Sequence, residues 1–189
     1  MDAIIAFPRS RLDIRCIAQG IRKHCKFKDR FPIVHFLEII MPCFDEKFQL
    51  IVVEDNELPN CYAKANPAEH IIFVRESVYL GAINGNGRDR FTLCHEFGHY
   101  ILHKSTSIFF LRIQEGKKIP AYREPEWQAD TFAGELLIPY KIAVSNSVED
   151  IVSICGVSYA AAKIQKRICQ GIKNKPPCGY KARRLAQSD

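Results

Sequence analysis

Long apolar runs and the features of a secretory signal are both lacking in this 189-residue sequence. No run of 18 or more apolar residues occurs, so the sequence predicts no transmembrane helix. The first residues, MDAIIAFPRSR, have no charged start, apolar stretch or small-residue cleavage site of the kind that directs export. We therefore expect a soluble protein that stays in the cytoplasm.

Closely spaced cysteine pairs are also missing, although the chain has eight cysteines. None of them forms a C-x-x-C pair or any C-x₂₋₄-C spacing, which argues against a cysteine-rich structural zinc site. Several fall where predicted helices would bury them, so we expect reduced, packed thiols, as suits a reducing cytosol. These cysteines are Cys16, Cys25, Cys43, Cys61, Cys94, Cys155, Cys169 and Cys178.

The net charge of +6 is unevenly distributed. The first 30 residues carry +5 and the last 30 carry +7, which leaves −6 for the middle of the chain. Basic ends can attract nucleic acid, but solvated helix faces and a loose tail explain them equally well. Direct nucleic-acid binding is therefore not the favoured interpretation.

The length and the 47% hydrophobic content predict one compact domain over residues 1–172 and a basic, flexible tail over residues 173–189. Apolar periodicity predicts helices, and β-branched runs predict three short strands in one antiparallel sheet. The predicted helices cover residues 9–27, 31–44, 90–103 and 125–139, and a helical hairpin covers 148–171. The predicted strands cover residues 48–56, 61–66 and 70–76. A loop is predicted at 81–90 and a polar connector at 104–123.

A possible metal-binding motif lies in the predicted helix 90–103. His95-Glu96-Phe97-Gly98-His99 matches H-E-x-x-H, and residues i and i+4 lie one turn apart on one helix face, so both imidazoles can reach one ion. The helix also carries an apolar stripe beside this face, which places the motif at the edge of the core. The alternative is a pair of core-edge histidines with an incidental glutamate.

A catalytic zinc ion usually has three protein ligands, so a third donor is needed. His103 lies eight residues after His95, a rise of about 12 Å, and is better interpreted as a helix-end or rim residue. Asp89 lies too close upstream of the motif, on the same helix, to complete a tetrahedral metal site. Glu126 is the better candidate, since it opens the helix 125–139 beside its apolar stripe, and Asp130, one turn later, could accept the outward N–H of a ligand imidazole. The alternative for Glu126 is an ordinary solvated side chain.

The two segments RFTLCHEFGHYILH and REPEWQADTFAGELLIP together resemble the ImmA/IrrE family of gluzincin metallopeptidases, over about residues 71–139. The resemblance implies an α+β fold, with a helical bundle packed on a small three-stranded antiparallel sheet and a zincin-like active-site helix. It also implies a zinc endopeptidase. Zn²⁺ would be bound by His95, His99 and Glu126, and Glu96 would be the catalytic base.

Members of this family often accompany helix-turn-helix repressors of phages and mobile elements, and some cleave them. The resemblance therefore implies a repressor of that kind as the protein partner. For amide hydrolysis, Glu96 would take a proton from a zinc-activated water and pass it to the leaving amine. The donor that stabilises the oxyanion stays open among Tyr122, Arg123 and His103.

Two other functions compete with this interpretation. One is a non-catalytic metal-binding regulatory protein that acts by contact, although structural zinc alone would not require Glu96. The other is a DNA-binding regulator, because the segment 148–171 has a short helix, a turn and a basic second helix, as in a helix-turn-helix. That segment has too few preceding helices for a complete DNA-binding unit.

Overall fold

The computed structural model describes residues 2–103, 108–112 and 119–171. The predicted tail 173–189 lies outside these residues. In chain order the elements are β1 (Asp2–Ala6), α1 (Arg11–His24), α2 (Ile33–His35), a π-helical turn (Phe36–Ile40), α3 (Met41–Phe44), β2 (Gln49–Val53), β3 (Ala63–Asn66), β4 (Ile71–Arg75), α4 (Glu76–Ile83), α5 (Gly87–Leu102), β5 (Ile108–Arg112), α6 (Pro125–Leu137), α7 (Tyr140–Ser145), α8 (Val148–Cys155) and α9 (Tyr159–Gly171).

The three predicted strands form one sheet, but this sheet is mixed. Its order is β2-β4-β3, with β3 antiparallel to β4 and β2 parallel to β4. The predicted all-antiparallel sheet is therefore wrong for β2. Strand β4 is in the centre of the sheet, and its side chains Ile72 and Val74 are fully buried. The segment 54–70 connects β2 to β4 and returns the chain to the end of the sheet where β2 begins, so β2 and β4 run in the same direction.

A second sheet has only two strands and was not predicted. β1 pairs antiparallel with β5, in a register that runs from Asp2 opposite Arg112 to Ala6 opposite Ile108. β5 lies within the segment 104–123, which the sequence suggested was a connector. The predicted loop 81–90 is also too long, because α4 continues to Ile83 and α5 begins at Gly87.

Helix α5 runs through the middle of the fold and has a clear start. The side chain of Asn86 caps it by accepting hydrogen bonds from the backbone N–H groups of Arg88 (2.9 Å) and Asp89 (3.4 Å). Cys94 of α5 is fully buried, as predicted. No helix among the residues that the structure describes is long and apolar enough to cross a lipid bilayer.

A row of four phenylalanine rings fixes α5 against its neighbours. Phe31 lies 5.1 Å from Phe36, Phe36 lies 5.2 Å from Phe97, and Phe97 lies 5.6 Å from Phe132, measured between ring centroids. These rings are tilted or edge-on to one another, the arrangements that aromatic pairs prefer. The row joins the π-helical turn, α5 and α6 through one continuous core.

Helices α5 and α6 approach each other closely at Gly98. A Cβ atom at this position would lie 3.1 Å from the Cα and 3.2 Å from the carbonyl oxygen of Ala129, which are backbone atoms and cannot turn aside, and 3.1 Å from the ring of Phe132. The close approach brings one face of α5 against the first turns of α6. A larger residue at position 98 would therefore require its neighbours on α6 to shift by a few tenths of an ångström.

We expect Gly98→Ala to lower the free energy of unfolding by about 1–2 kcal/mol, because overpacking at the helix contact outweighs the better helix propensity of alanine. Gly20→Ala is the matched control. Gly20 lies within α1 and nothing stands within 4 Å of its added Cβ, so this variant should be neutral or slightly more stable. Urea denaturation measures both changes; equal stability of the two variants would contradict the packing argument.

Candidate metal centre

Three side chains from two helices converge where α5 and α6 meet. His95 and His99 lie one turn apart on α5, and Glu126 lies in the first turn of α6. The Nε2 atoms of the two histidines are 3.0 Å apart. Glu126 Oε2 lies 3.2 Å from His95 Nε2, and Glu126 Oε1 lies 3.4 Å from His99 Nε2.

These separations bring one possible ligand atom from each residue to within 4.8 Å of the others. The two imidazole Nε2 atoms are 3.0 Å apart, close to the value of about 3.3 Å expected for ligand atoms at about 2.0–2.1 Å from a tetrahedral zinc ion, and a different oxygen of Glu126 faces each of them. Two imidazoles and one carboxylate are also a donor set that catalytic zinc sites use. His95, His99 and Glu126 could therefore hold a metal ion and leave a fourth position open.

Asp130 orients one of the two imidazoles. Its Oδ1 atom lies 2.8 Å from His95 Nδ1, so the carboxylate accepts the Nδ1–H and leaves Nε2 directed at the convergence point. Burial lowers the pKa of His95, but the hydrogen bond to Asp130 and the nearby carboxylates outweigh it, so the pKa is raised. The structure therefore brings Asp130 to the position that the sequence indicated.

The other imidazole, that of His99, has hydrogen-bond partners that the sequence did not predict. His99 Nδ1 lies 2.9 Å from His103 Nδ1, and His103 Nε2 lies 3.1 Å from the Oε1 atom of Gln128. His103 ends α5, as expected, but it is only 2% exposed, so the rim position is wrong. Burial lowers the pKa of both His99 and His103 to about 4, which keeps both rings neutral at neutral pH.

Glu96 points from α5 toward the three-stranded sheet. One carboxylate oxygen, Oε2, accepts a hydrogen bond of 2.8 Å from the backbone N–H of Ala65 in β3, the edge strand of that sheet. Burial raises the pKa of Glu96, against the opposing effects of His95 and the Ala65 N–H. The carboxylate is therefore held in a fixed orientation beside His95, and its affinity for a proton is increased.

The sequence left the residue that stabilises the oxyanion open among His103, Tyr122 and Arg123. Tyr100, the neighbour of His99 in the sequence, is buried, and its hydroxyl donates to Asp45 Oδ2 over 2.6 Å. His103 has both ring nitrogens in hydrogen bonds, so it has no donor to offer an oxyanion. Tyr122 and Arg123 lie in the short 3₁₀ turn just before α6.

The chain is similar to known proteins in its fold and in its sequence. A Mycobacterium tuberculosis transcriptional regulator has a similar fold, with a TM-score of 0.54 and 13% identity over 79% of this chain, although the match spans only 44% of the regulator. No curated protein matches the chain significantly. The family model described as the IrrE N-terminal-like domain matches residues 54–163, which confirms the ImmA/IrrE resemblance. The chain therefore belongs to the IrrE N-terminal-like domain family, Peptidase_M78.

Proposed function

We propose that the chain is a zinc-dependent endopeptidase of the cytoplasm. The observation that carries this proposal is the convergence of His95, His99 and Glu126, whose possible ligand atoms lie within 4.8 Å of one another, with the carboxylate of Glu96 close enough to interact electrostatically with His95 and Glu126. A site that only needed to hold zinc for stability would be expected to close the fourth position with a protein ligand, whereas three donors and an adjacent base suit hydrolysis.

Each residue of the site has a separate task in this proposal. Zinc, when bound by His95, His99 and Glu126, would polarise the scissile carbonyl and acidify a water molecule. Glu96 accepts the proton of the attacking water and delivers it to the leaving amine. The N–H of Ala65 keeps the Glu96 carboxylate oriented while the proton moves, and Asp130 holds the His95 ring.

A cavity beside the site offers room for a substrate side chain. It has a volume of about 630 Å³ and begins one turn from His95, since Thr92 on α5 and Asp130 on α6 both line it. Most of its wall is apolar, with Phe91 and Trp127 among the lining residues. We therefore expect cleavage beside a large apolar residue, which sequencing of the products from a peptide mixture would reveal as enrichment at one position next to the cut.

The substrate that we propose is a helix-turn-helix transcriptional repressor of a phage or mobile element. Two observations support it: the family resemblance, and the similarity of the fold to a protein described as a transcriptional regulator. The competing function is regulation by contact without cleavage. The two differ in outcome, because only the peptidase would produce repressor fragments.

Metal removal tests the proposed chemistry. A chelator should abolish cleavage of a peptide mixture, and one equivalent of Zn²⁺ per chain should restore it, because the proposed water is activated only with the ion in place. The matched control is the same chelator treatment followed by Mg²⁺, which prefers six oxygen ligands and should not restore cleavage. Cleavage that persists in the zinc-free protein would refute a zinc peptidase.

A further inference from the structure

The orientation of the Gln128 amide is determined by its backbone partners. Its Nε2 atom donates hydrogen bonds to the carbonyl oxygens of Phe7 (2.9 Å) and Tyr122 (2.8 Å). Carbonyl oxygens can only accept, so the amide nitrogen must face them. The Oε1 atom of Gln128 is therefore the atom that faces His103.

The direction of the next two hydrogen bonds follows from this orientation. His103 is 2% exposed, and the groups at its two ring nitrogens, Gln128 and His99, carry no negative charge that would stabilise a second proton, so the ring has one proton. Gln128 Oε1 can only accept, so that proton is on Nε2, and His103 Nδ1 carries a lone pair. That lone pair faces His99 Nδ1 over 2.9 Å, so His99 must donate from Nδ1. The Nε2 atom of His99 is then left without a proton and directed at His95 and Glu126.

We propose that Gln128 and His103 are positioning residues that hold His99 in the tautomer required for metal binding. The inference rests on the proposed metal centre, but it concerns residues that the centre itself does not include. The tautomer of a metal-binding imidazole is determined by the hydrogen bond that its other nitrogen makes. Here the bond to His99 is supplied through two neutral side chains.

The two histidines of the centre are thus supported in different ways. His95 depends on Asp130, a carboxylate whose side chain is 63% exposed, whereas Gln128 and His103 are 0% and 2% exposed. The series of hydrogen bonds that starts at His99 ends on the backbone carbonyl groups of Phe7 and Tyr122, which do not titrate. It also joins the segment before α6 to the end of α5, so the same hydrogen bonds help to align the two helices that carry the site.

Two substitutions of His103 separate positioning from simple packing. The oxygen of an asparagine side chain is as many bonds from Cα as Nδ1 of histidine, so His103→Asn keeps an acceptor for His99. His103→Leu fills the space with an apolar group and removes that acceptor. Both variants lose the bond to Gln128, so thermal unfolding of the zinc-free protein should show a lower midpoint in each case.

Zinc affinity should distinguish the variants where stability does not. We expect His103→Leu to weaken zinc binding about 10- to 100-fold in competition with a chelator, the usual effect of losing a group that supports a metal-binding histidine. His103→Asn should stay within about threefold of the wild type, because His99 keeps its partner. An equal loss of affinity in both variants, or none in either, would overturn the inference.

Nitrogen NMR of histidine-labelled wild-type protein provides a second, independent measurement. The couplings of the ring protons should place the single proton of His103 on Nε2; a proton on Nδ1 would overturn the inference. Neither experiment requires hydrolysis, so the two proposals can fail separately. A protein with the expected zinc affinities and tautomer that cuts no peptide would refute only the peptidase.

Discussion

Glu126→Ala is expected to weaken zinc binding more than about 100-fold, beyond the effect of losing a supporting group, because it removes one of the three proposed ligands. The side chain is 76% exposed, and its ion pairs among the described residues are with His95 and His99. The zinc-free variant should therefore unfold within about 1 kcal/mol of the wild type. The substitution would therefore weaken zinc binding without destabilising the fold.

Zinc-dependent thermal stabilisation measures this effect directly. Bound zinc should raise the unfolding midpoint of the wild type, since a ligand that binds only the folded state stabilises it, and the same zinc concentration should leave Glu126→Ala almost unchanged. Glu149→Ala is the matched control, because Glu149 is also an exposed glutamate in the first turn of a helix. Full zinc occupancy in Glu126→Ala would rule out Glu126 as a ligand.

Glu96→Gln is expected to slow peptide hydrolysis about 10²- to 10⁴-fold while zinc content stays at the wild-type level. An amide cannot take the proton from the attacking water. Its oxygen can still accept the hydrogen bond from the N–H of Ala65, so the local structure should be retained. The loss of rate would then come from the missing base and not from a displaced helix.

Steady-state cleavage of a peptide mixture, with zinc measured in each preparation, checks this prediction. Glu69→Gln is the control, because Glu69 is an exposed glutamate in the turn between β3 and β4. It should cleave at the wild-type rate. Undiminished hydrolysis by Glu96→Gln would remove Glu96 from the mechanism.

The parts of the fold and site that were predictable have short-range sequence signals. The spacing of His95 and His99 follows from one helical turn, and Pro125 marks the first residue of α6. The apolar stripes of the two helices were enough to bring Glu126 and Asp130 beside the histidines. Periodicity within single helices thus indicated most of the candidate site.

Features that join distant parts of the chain were not predictable from these signals. β1 pairs with β5, which lies more than 100 residues later, and the sequence of neither strand indicates which strand it pairs with. The parallel pairing of β2 with β4 depends on which strand becomes central, which alternation alone does not specify. Gln128 follows Glu126 by two residues and so faces another direction on the helix, and its role depends on the carbonyl groups of Phe7 and Tyr122.

The most direct measurement is proteolysis of a helix-turn-helix repressor encoded beside this protein, by zinc-loaded wild type and zinc-loaded Glu96→Gln. Mass spectrometry of the products would identify the cleaved bond. The account predicts repressor fragments with the wild type alone, at equal zinc content in the two proteins. Fragments from both proteins would contradict the assigned base, and an intact repressor with zinc-loaded wild type would contradict the proposed substrate.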